Sequence, residues 1–225
     1  EMGEILAETD KKEALPTAEV KKRLERGLTE YALVRESAGR RILHGWGDER
    51  SYLVGSSRDP DGKDRVGLTS YAFWVISGMY ARDKSVREDI LRAYQRLDSK
   101  CGLRTFDQFF APGTPGVGRI GNLPPGTAEN SATYVHATLF GVWSLFMMGE
   151  DKAAWEQLIK ALPVTHAHLS ATQFVMSNSY SLNPEFSMDG ESMSDWYTGA
   201  ANVLIKTLVR CVFGVDATLE GRSEE

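Results

Sequence analysis

The sequence predicts an all-α fold, an incomplete (α/α)6 toroid amounting to about half of the ring, with a small β-hairpin and long active-site loops. Three observations carry this. Stretches that are apolar nearly all round (67–82, 131–149, 193–213) alternate with stretches whose apolar residues keep to one face (84–98, 151–162). A helix apolar on every side is enclosed by protein, whereas a one-sided helix faces solvent, so the order reads as inner helix, outer helix, loop. Two long segments rich in Gly, Pro, Ser and Asn (99–130 and 163–192) separate the pairs, and loops of that length in a compact domain usually carry function.

In chain order, residues 1–15 are acidic and polar. Residues 17–38 form a helix that Thr17 would cap, with Val20, Leu24, Leu28 and Tyr31 as its buried stripe. Glycines at 45, 47 and 55 and the turn Asp59-Pro60-Asp61-Gly62 flank a strand-like run, Ser51–Val54, giving a hairpin or ordered loop within 39–64. The outer helix over 84–98 carries the stripe Val86, Ile90, Ala93 and Leu97. Ser192 and Asp195 fit a capping box for the last inner helix. The residues from Asp216 onward read as a frayed polar tail. Three inner and three outer helices make half of a six-pair ring.

Composition excludes several functions. The 225 residues suit one domain or a large piece of one, and 42% of them are hydrophobic. A net charge of −5 without a basic stripe argues against nucleic acid and anionic membranes as partners. Cys101 and Cys211 lack CxxC partners and read as buried reduced thiols, consistent with a cytoplasmic location. The N-terminus lacks an apolar signal core, and no apolar run reaches the roughly 18 residues of a membrane span. The chain opens on Glu1, as an excised or truncated segment would. GxSxG and HExxH motifs are absent. The glycines of GTPGVGRIG lack the GK[ST] ending of a phosphate loop. His166 and His168 stand without a ligand cluster and are expected in solvent, so no metal is implied.

Three groups of residues could carry chemistry. Glu129, Asn130, Tyr134 and His136 sit where a long loop runs into an apolar helix, about two turns before His136. On spacing alone, His136 reads equally as a core histidine bonded to a carbonyl. Thr198-Gly199 places a hydroxyl beside a bare peptide N–H near a helix start, where donors favour anions, although close helix packing also explains a glycine there. Trp46, Tyr52, Trp74, Phe109, Phe110, Trp143 and Trp196 are aromatic near the loops and could stack on sugar faces or simply fill the core.

The stretch AENSATYVHATLFGVW resembles the E-N-x-x-x-x-x-H segment of the glycoside hydrolase family 94 phosphorylases, which include cellobiose and cellodextrin phosphorylases. DWYTGAANVLIKTLVRCVFGV resembles that family's closing S-W-x-T-G-T/S-A helix. ALPVTHAHLSATQFVMSNSYSLNP takes the place of its E-P-Y-V-Y-x-Q loop, and GWGDERSYLVGSSRDPDGKDRVGLTSYAFWVISGMY resembles its W-D-G-x-W-Y-x-R hairpin and the helix after it. The ordered set covers most of residues 17–215. TPGVGRIGNLPPGTAEN and NSYSLNPEFSMDGESMSDWYTG are worded most like the 1,2-β-oligoglucan phosphorylase branch.

The resemblance implies that residues 1–215 are the C-terminal half of an (α/α)6 catalytic domain. It implies an inverting phosphorylase, in which inorganic phosphate attacks the anomeric carbon of a β-glucan or β-glucoside oligosaccharide and α-glucose 1-phosphate leaves. Phosphate is a co-substrate and no cofactor is implied. The resemblance assigns phosphate contacts to His136, Thr198 and Gly199 and acceptor-sugar contact to Glu129, with Asn130 and Asn178 expected beside it as substrate-binding residues. Asn178 stands where the family often has Gln, and Thr172-Gln173-Phe174 replaces Glu-Pro-Tyr. The general-acid D-W-N-D motif is absent, so no catalytic residue is assigned here, and the chain alone is expected to be inactive without the remainder of the parent domain. A homodimer is implied through parts outside this segment. Two alternatives stay open. One is a hydrolase on the same toroid, using Glu129 with Asp189 or Glu191. The other is a non-catalytic helical module that binds carbohydrate or protein.

Overall fold

The structure is a computed structural model describing residues 11–36, 39–42, 61–63, 65–166, 168, 170–185, 187–196, 198–218 and 221–224. The chain is mostly helical, with small antiparallel pairings. Helix α1 spans Lys11–Gly27 and runs into a π-helical turn, Leu28–Ala32. Strands β1 (Leu33–Glu36) and β2 (Gly39–Ile42) then pair as a hairpin. The helix expected to reach residue 38 therefore ends at Ala32. Thr17 lies inside it and not at its start. Of its expected buried stripe, Val20, Leu24 and Leu28 are open to solvent (53%, 62% and 41% exposed), because no other described element covers them; the Tyr31 side chain lies outside the description. The run Ser51–Val54, with Trp46 and Tyr52, lies outside the described residues.

Helix α2 spans Leu68–Ile76 and stops where Gly78 turns left-handed (φ 75°), ahead of a short 3-10 turn, Met79–Arg82. Helix α3, Lys84–Leu97, begins on Asp83, whose carboxylate accepts the Ser85 N–H. Its predicted stripe is buried as read, with Val86, Ile90, Ala93 and Leu97 at most 2% exposed. Strand β3 (Thr133–Tyr134) leads directly into α4 (Val135–Met147), and α5 covers Asp151–Ala161. Strands β4 (Ser179–Tyr180) and β5 (Ser192–Met193) complete a three-stranded sheet, with β4 in the middle.

Helix α6 is Ala200–Thr207, extended by a π-helical turn, Leu208–Val212. The predicted helix over 193–213 thus starts seven residues late. Ser192 Oγ does donate to Asp195 Oδ2 (3.0 Å), but the pair lies at β5 and the turn after it, ahead of the helix that begins at Ala200. The expected polar tail pairs instead as a hairpin, β6 (Val215–Thr218) with β7 (Gly221–Glu224).

Helix α4 is the centre of the packing. It contacts α2, α5 and α6, and α3 packs on α2. Leu68, Val75, Ile90, Leu97, Leu139 and Val142 are fully buried between these helices. Cys101 belongs to that core, whereas Cys211 is only partly buried, contrary to expectation. None of the described helices is long and apolar enough to cross a membrane.

The long loops are tied to this core. Arg65 is fully buried. Its guanidinium makes a bidentate pair with Asp61 (2.7 and 2.6 Å), donates to the carbonyls of Gln108 and Phe109, and lies over the Phe110 ring. Pairing and hydrogen bonding meet the requirement of a charge removed from water, and the Arg65 hydrogen bond holds the Asp61 carboxyl below its usual range. Gly126 joins the two loops. Its N–H donates to the Asn130 carbonyl and its carbonyl accepts from Leu182 N–H. At φ 74°, with space for a side chain closed by the Leu182 carbonyl 2.5 Å away, only glycine fits there.

Candidate functional site

Two turns with left-handed backbone frame the site. In the first, Ala128 (φ 44°) and Ser131 (φ 75°) flank Glu129-Asn130. A residue with a Cβ stays there only when its surroundings over-determine it, and here they do. Thr105 Oγ1 donates to the Glu129 carbonyl (2.9 Å) and accepts the Ser131 N–H (3.0 Å). Asn130 is fully buried. Its Oδ1 accepts from Phe110 N–H (2.8 Å), and its Nδ2 donates to the carbonyls of Phe110 and Leu123 (3.0 Å each). Asn130 therefore fastens the loop to itself through its whole amide group.

The turn delivers the chain through β3 into α4. The Asn178 carbonyl accepts the Val135 N–H (2.9 Å), and the Asn178 amide donates to Tyr134 Oη (3.3 Å). His136 is the second residue of α4, not two turns into it. Its ring stacks on Phe140, with centroids 5.0 Å apart. Burial alone lowers its pKa from the usual histidine value, which favours the uncharged imidazole, a ring that donates from one nitrogen only.

The second strained turn precedes α6, with Ser194 at φ 53° and Trp196 at φ 77°. Thr198 Oγ1 accepts the Ala200 N–H (3.0 Å), which leaves the hydroxyl proton free to donate. Gly199 has an ordinary φ of −84°, so its role is close approach. A methyl group there would stand 2.9 Å from His136 Cε1 and 3.3 Å from Nδ1. The imidazole at the start of α4 and the peptide at the start of α6 are thus in contact.

A cleft of about 230 Å³ opens beside them. Gly67, Thr69, Thr105, Phe106, Glu129, Tyr134, His136, Ala137 and Phe140 line it. It brings together Glu129 and His136, with Gly199 against the His136 ring and Asn178 behind Tyr134. Thr69, Thr105 and Phe106 are lining residues that the sequence did not single out. Arg119 Nη2 donates to Glu129 Oε1 (2.5 Å), a further partner absent from the sequence reading. Asp189 and Glu191 do not line the cleft, and Asp189 pairs with Lys100 instead.

Among the aromatics, Trp74 and Phe110 are core residues, Phe109 and Trp196 are exposed, and Trp143 lies under Lys206. His166, expected in solvent, is 8% exposed, with its Nε2 against the Lys160 carbonyl and its ring on Tyr180. Among the described residues no group of three His, Cys, Asp or Glu side chains gathers as a metal site would require.

The family model described as the glycosyl hydrolase 94 superfamily catalytic domain matches residues 6–214. The chain is also similar to a 3-O-β-D-glucopyranosyl-β-D-glucuronide phosphorylase of Paenibacillus borealis, with 25% identity over 181 residues. That alignment takes in 77% of this chain and 23% of the relative's length. With a family match whose bounds take in both strained turns and all the lining residues of the cleft, the chain belongs to the glycosyl hydrolase 94 superfamily.

Proposed function

We propose that this chain is the C-terminal half of an (α/α)6 catalytic domain of an inverting phosphorylase acting on a β-glucoside or β-glucan oligosaccharide. The carrying observation is the contact of the His136 ring with Gly199, beside a cleft that both His136 and Glu129 line. Phosphate sits against His136, the Thr198 hydroxyl and the N–H groups opening α6. A helix start offers unpaired donors and the positive end of its dipole. Glu129 and Tyr134 face the sugar on the leaving side. Phosphate attacks the anomeric carbon from one face while a carboxylic acid protonates the departing oxygen from the other, so the configuration inverts. That acid comes from a part of the domain outside this segment. A prearranged anion cradle supplies the catalytic advantage on this side, because phosphate is already a charged nucleophile and needs no base.

A hydrolase would differ in needing a second carboxylate to activate water; among the described lining residues of the cleft the carboxylate is Glu129. The named activity of the Paenibacillus borealis relative supports a β-glucoside as substrate. The deciding experiment uses the full-length parent protein, incubated with β-linked gluco-oligosaccharides with and without phosphate and followed by NMR. Phosphate-dependent release of α-glucose 1-phosphate is expected. Free glucose released at the same rate without phosphate would overturn the proposal in favour of a hydrolase.

A further inference from the structure

We infer that Arg119 is a positioning residue for sugar recognition, acting through Glu129. This rests on the reading of Glu129 as a sugar-binding carboxylate. The main chain of Glu129 has no freedom left: Ala128 and Ser131 hold it on either side, Thr105 holds its carbonyl, and Asn130 locks the loop. What remains are the side-chain torsions, and the Arg119 guanidinium fixes those by gripping Oε1. The other oxygen, Oε2, is buried and has no hydrogen-bond partner among the described residues. A buried carboxylate oxygen without a donor is strongly disfavoured, and the hydroxyl of a neutral sugar is a donor of the right kind.

Arg119 itself does not line the cleft, and its side chain is 68% exposed. It rides on a 3-10 turn, Gly118–Asn122, which Val117 and Ile120 anchor in a small core with Phe106 and Phe110. The arm is therefore rigid at its base, and Phe106 of the same core is a wall of the cleft. The Glu129 hydrogen bond raises the pKa of Arg119 further, so the charge is permanent. Exposed ion pairs contribute little to folding, so losing the pair frees the carboxylate and leaves the fold intact.

The test is a double-mutant cycle in the full-length protein, with Arg119→Gln, Glu129→Gln and both together, and Arg119→Lys as the conservative variant. The KM for the acceptor sugar is measured in the synthetic direction beside the KM for glucose 1-phosphate, and sugar binding is measured by calorimetry. Arg119→Gln is expected to raise the acceptor KM about tenfold, as for one lost charge-assisted hydrogen bond, with the glucose 1-phosphate KM unchanged. Arg119→Lys should recover most of the loss, and the double variant should match Glu129→Gln alone. Additive effects, an equal rise in both KM values, or no change would overturn the inference. If the wild type makes no glucose 1-phosphate, the phosphorylase reading fails on its own. The calorimetric cycle then still decides the role of Arg119, and the absence of sugar binding in all four proteins overturns that role too.

Discussion

Replacing His136 with Ala in the full-length protein is expected to lower phosphorolysis by about 10²–10³-fold, the usual loss for one preorganised donor to an anion. The helical core should be left standing, because the ring packs at the start of α4 and borders the cleft. Gly199→Ala should reproduce much of the defect without removing any polar group. Its methyl would have to displace the imidazole from a distance of 2.9 Å. The two variants together separate a placed imidazole from one that merely fills space. Should both keep full phosphate dependence with normal circular dichroism, the cradle is somewhere else.

The same ring sets a pH dependence. Its pKa in the free protein is lowered by burial, and a bound phosphate anion pulls it upward again. Binding therefore takes up a proton at the ring, so the ring's contribution to phosphate affinity, measured by calorimetry in wild type against His136→Ala across pH, should fade as pH rises through the ring's pKa in the complex.

Asn130→Ala is expected to act on stability. Three buried hydrogen bonds to loop backbone disappear, and the Phe110 N–H and the Leu123 carbonyl lose a partner. At roughly 1–3 kcal/mol for each group left unsatisfied, the loss is about 3 kcal/mol or more. In a domain of this size that lowers Tm by roughly 6–12 °C. Calorimetric unfolding measures it directly. A variant that melts like the wild type but binds sugar more weakly would return Asn130 to the ligand.

Periodicity revealed α2 to α5 because their apolar residues answer to one local rule, which helix each faces. It failed at both ends of the chain for different reasons. In α1 the stripe of Val20, Leu24 and Leu28 is helical as read, but no described partner covers it. Before α6 the apolar pattern continues backward through Met193 and Trp196, while left-handed backbone at Ser194 and Trp196 prevents the helix from starting. Nothing in residue type announces that, since neither is glycine. His136, Glu129 and Gly199 were reachable through motif resemblance. Arg119, Thr69, Thr105 and Phe106 were not. Thr105 meets the chain 24 residues later, at Glu129, and a contact fixed by how loops close across a core has no signature in local spacing. The partners of Asn130 were hidden in the same way. Its neighbours in sequence suggested a ligand, but its partners are the backbone of another part of the loop.

The left-handed residues Ala128, Ser131, Ser194 and Trp196 also affect how the molecule responds to heat. Each holds on the order of 1–2 kcal/mol of backbone energy that a relaxed chain would release, and all four lie in the turns that carry Glu129 and lead to Gly199. The helices have no comparable reservoir. Warming is therefore expected to slacken the candidate site before the scaffold melts, so ligand binding there should fade at temperatures where the helical signal is still whole.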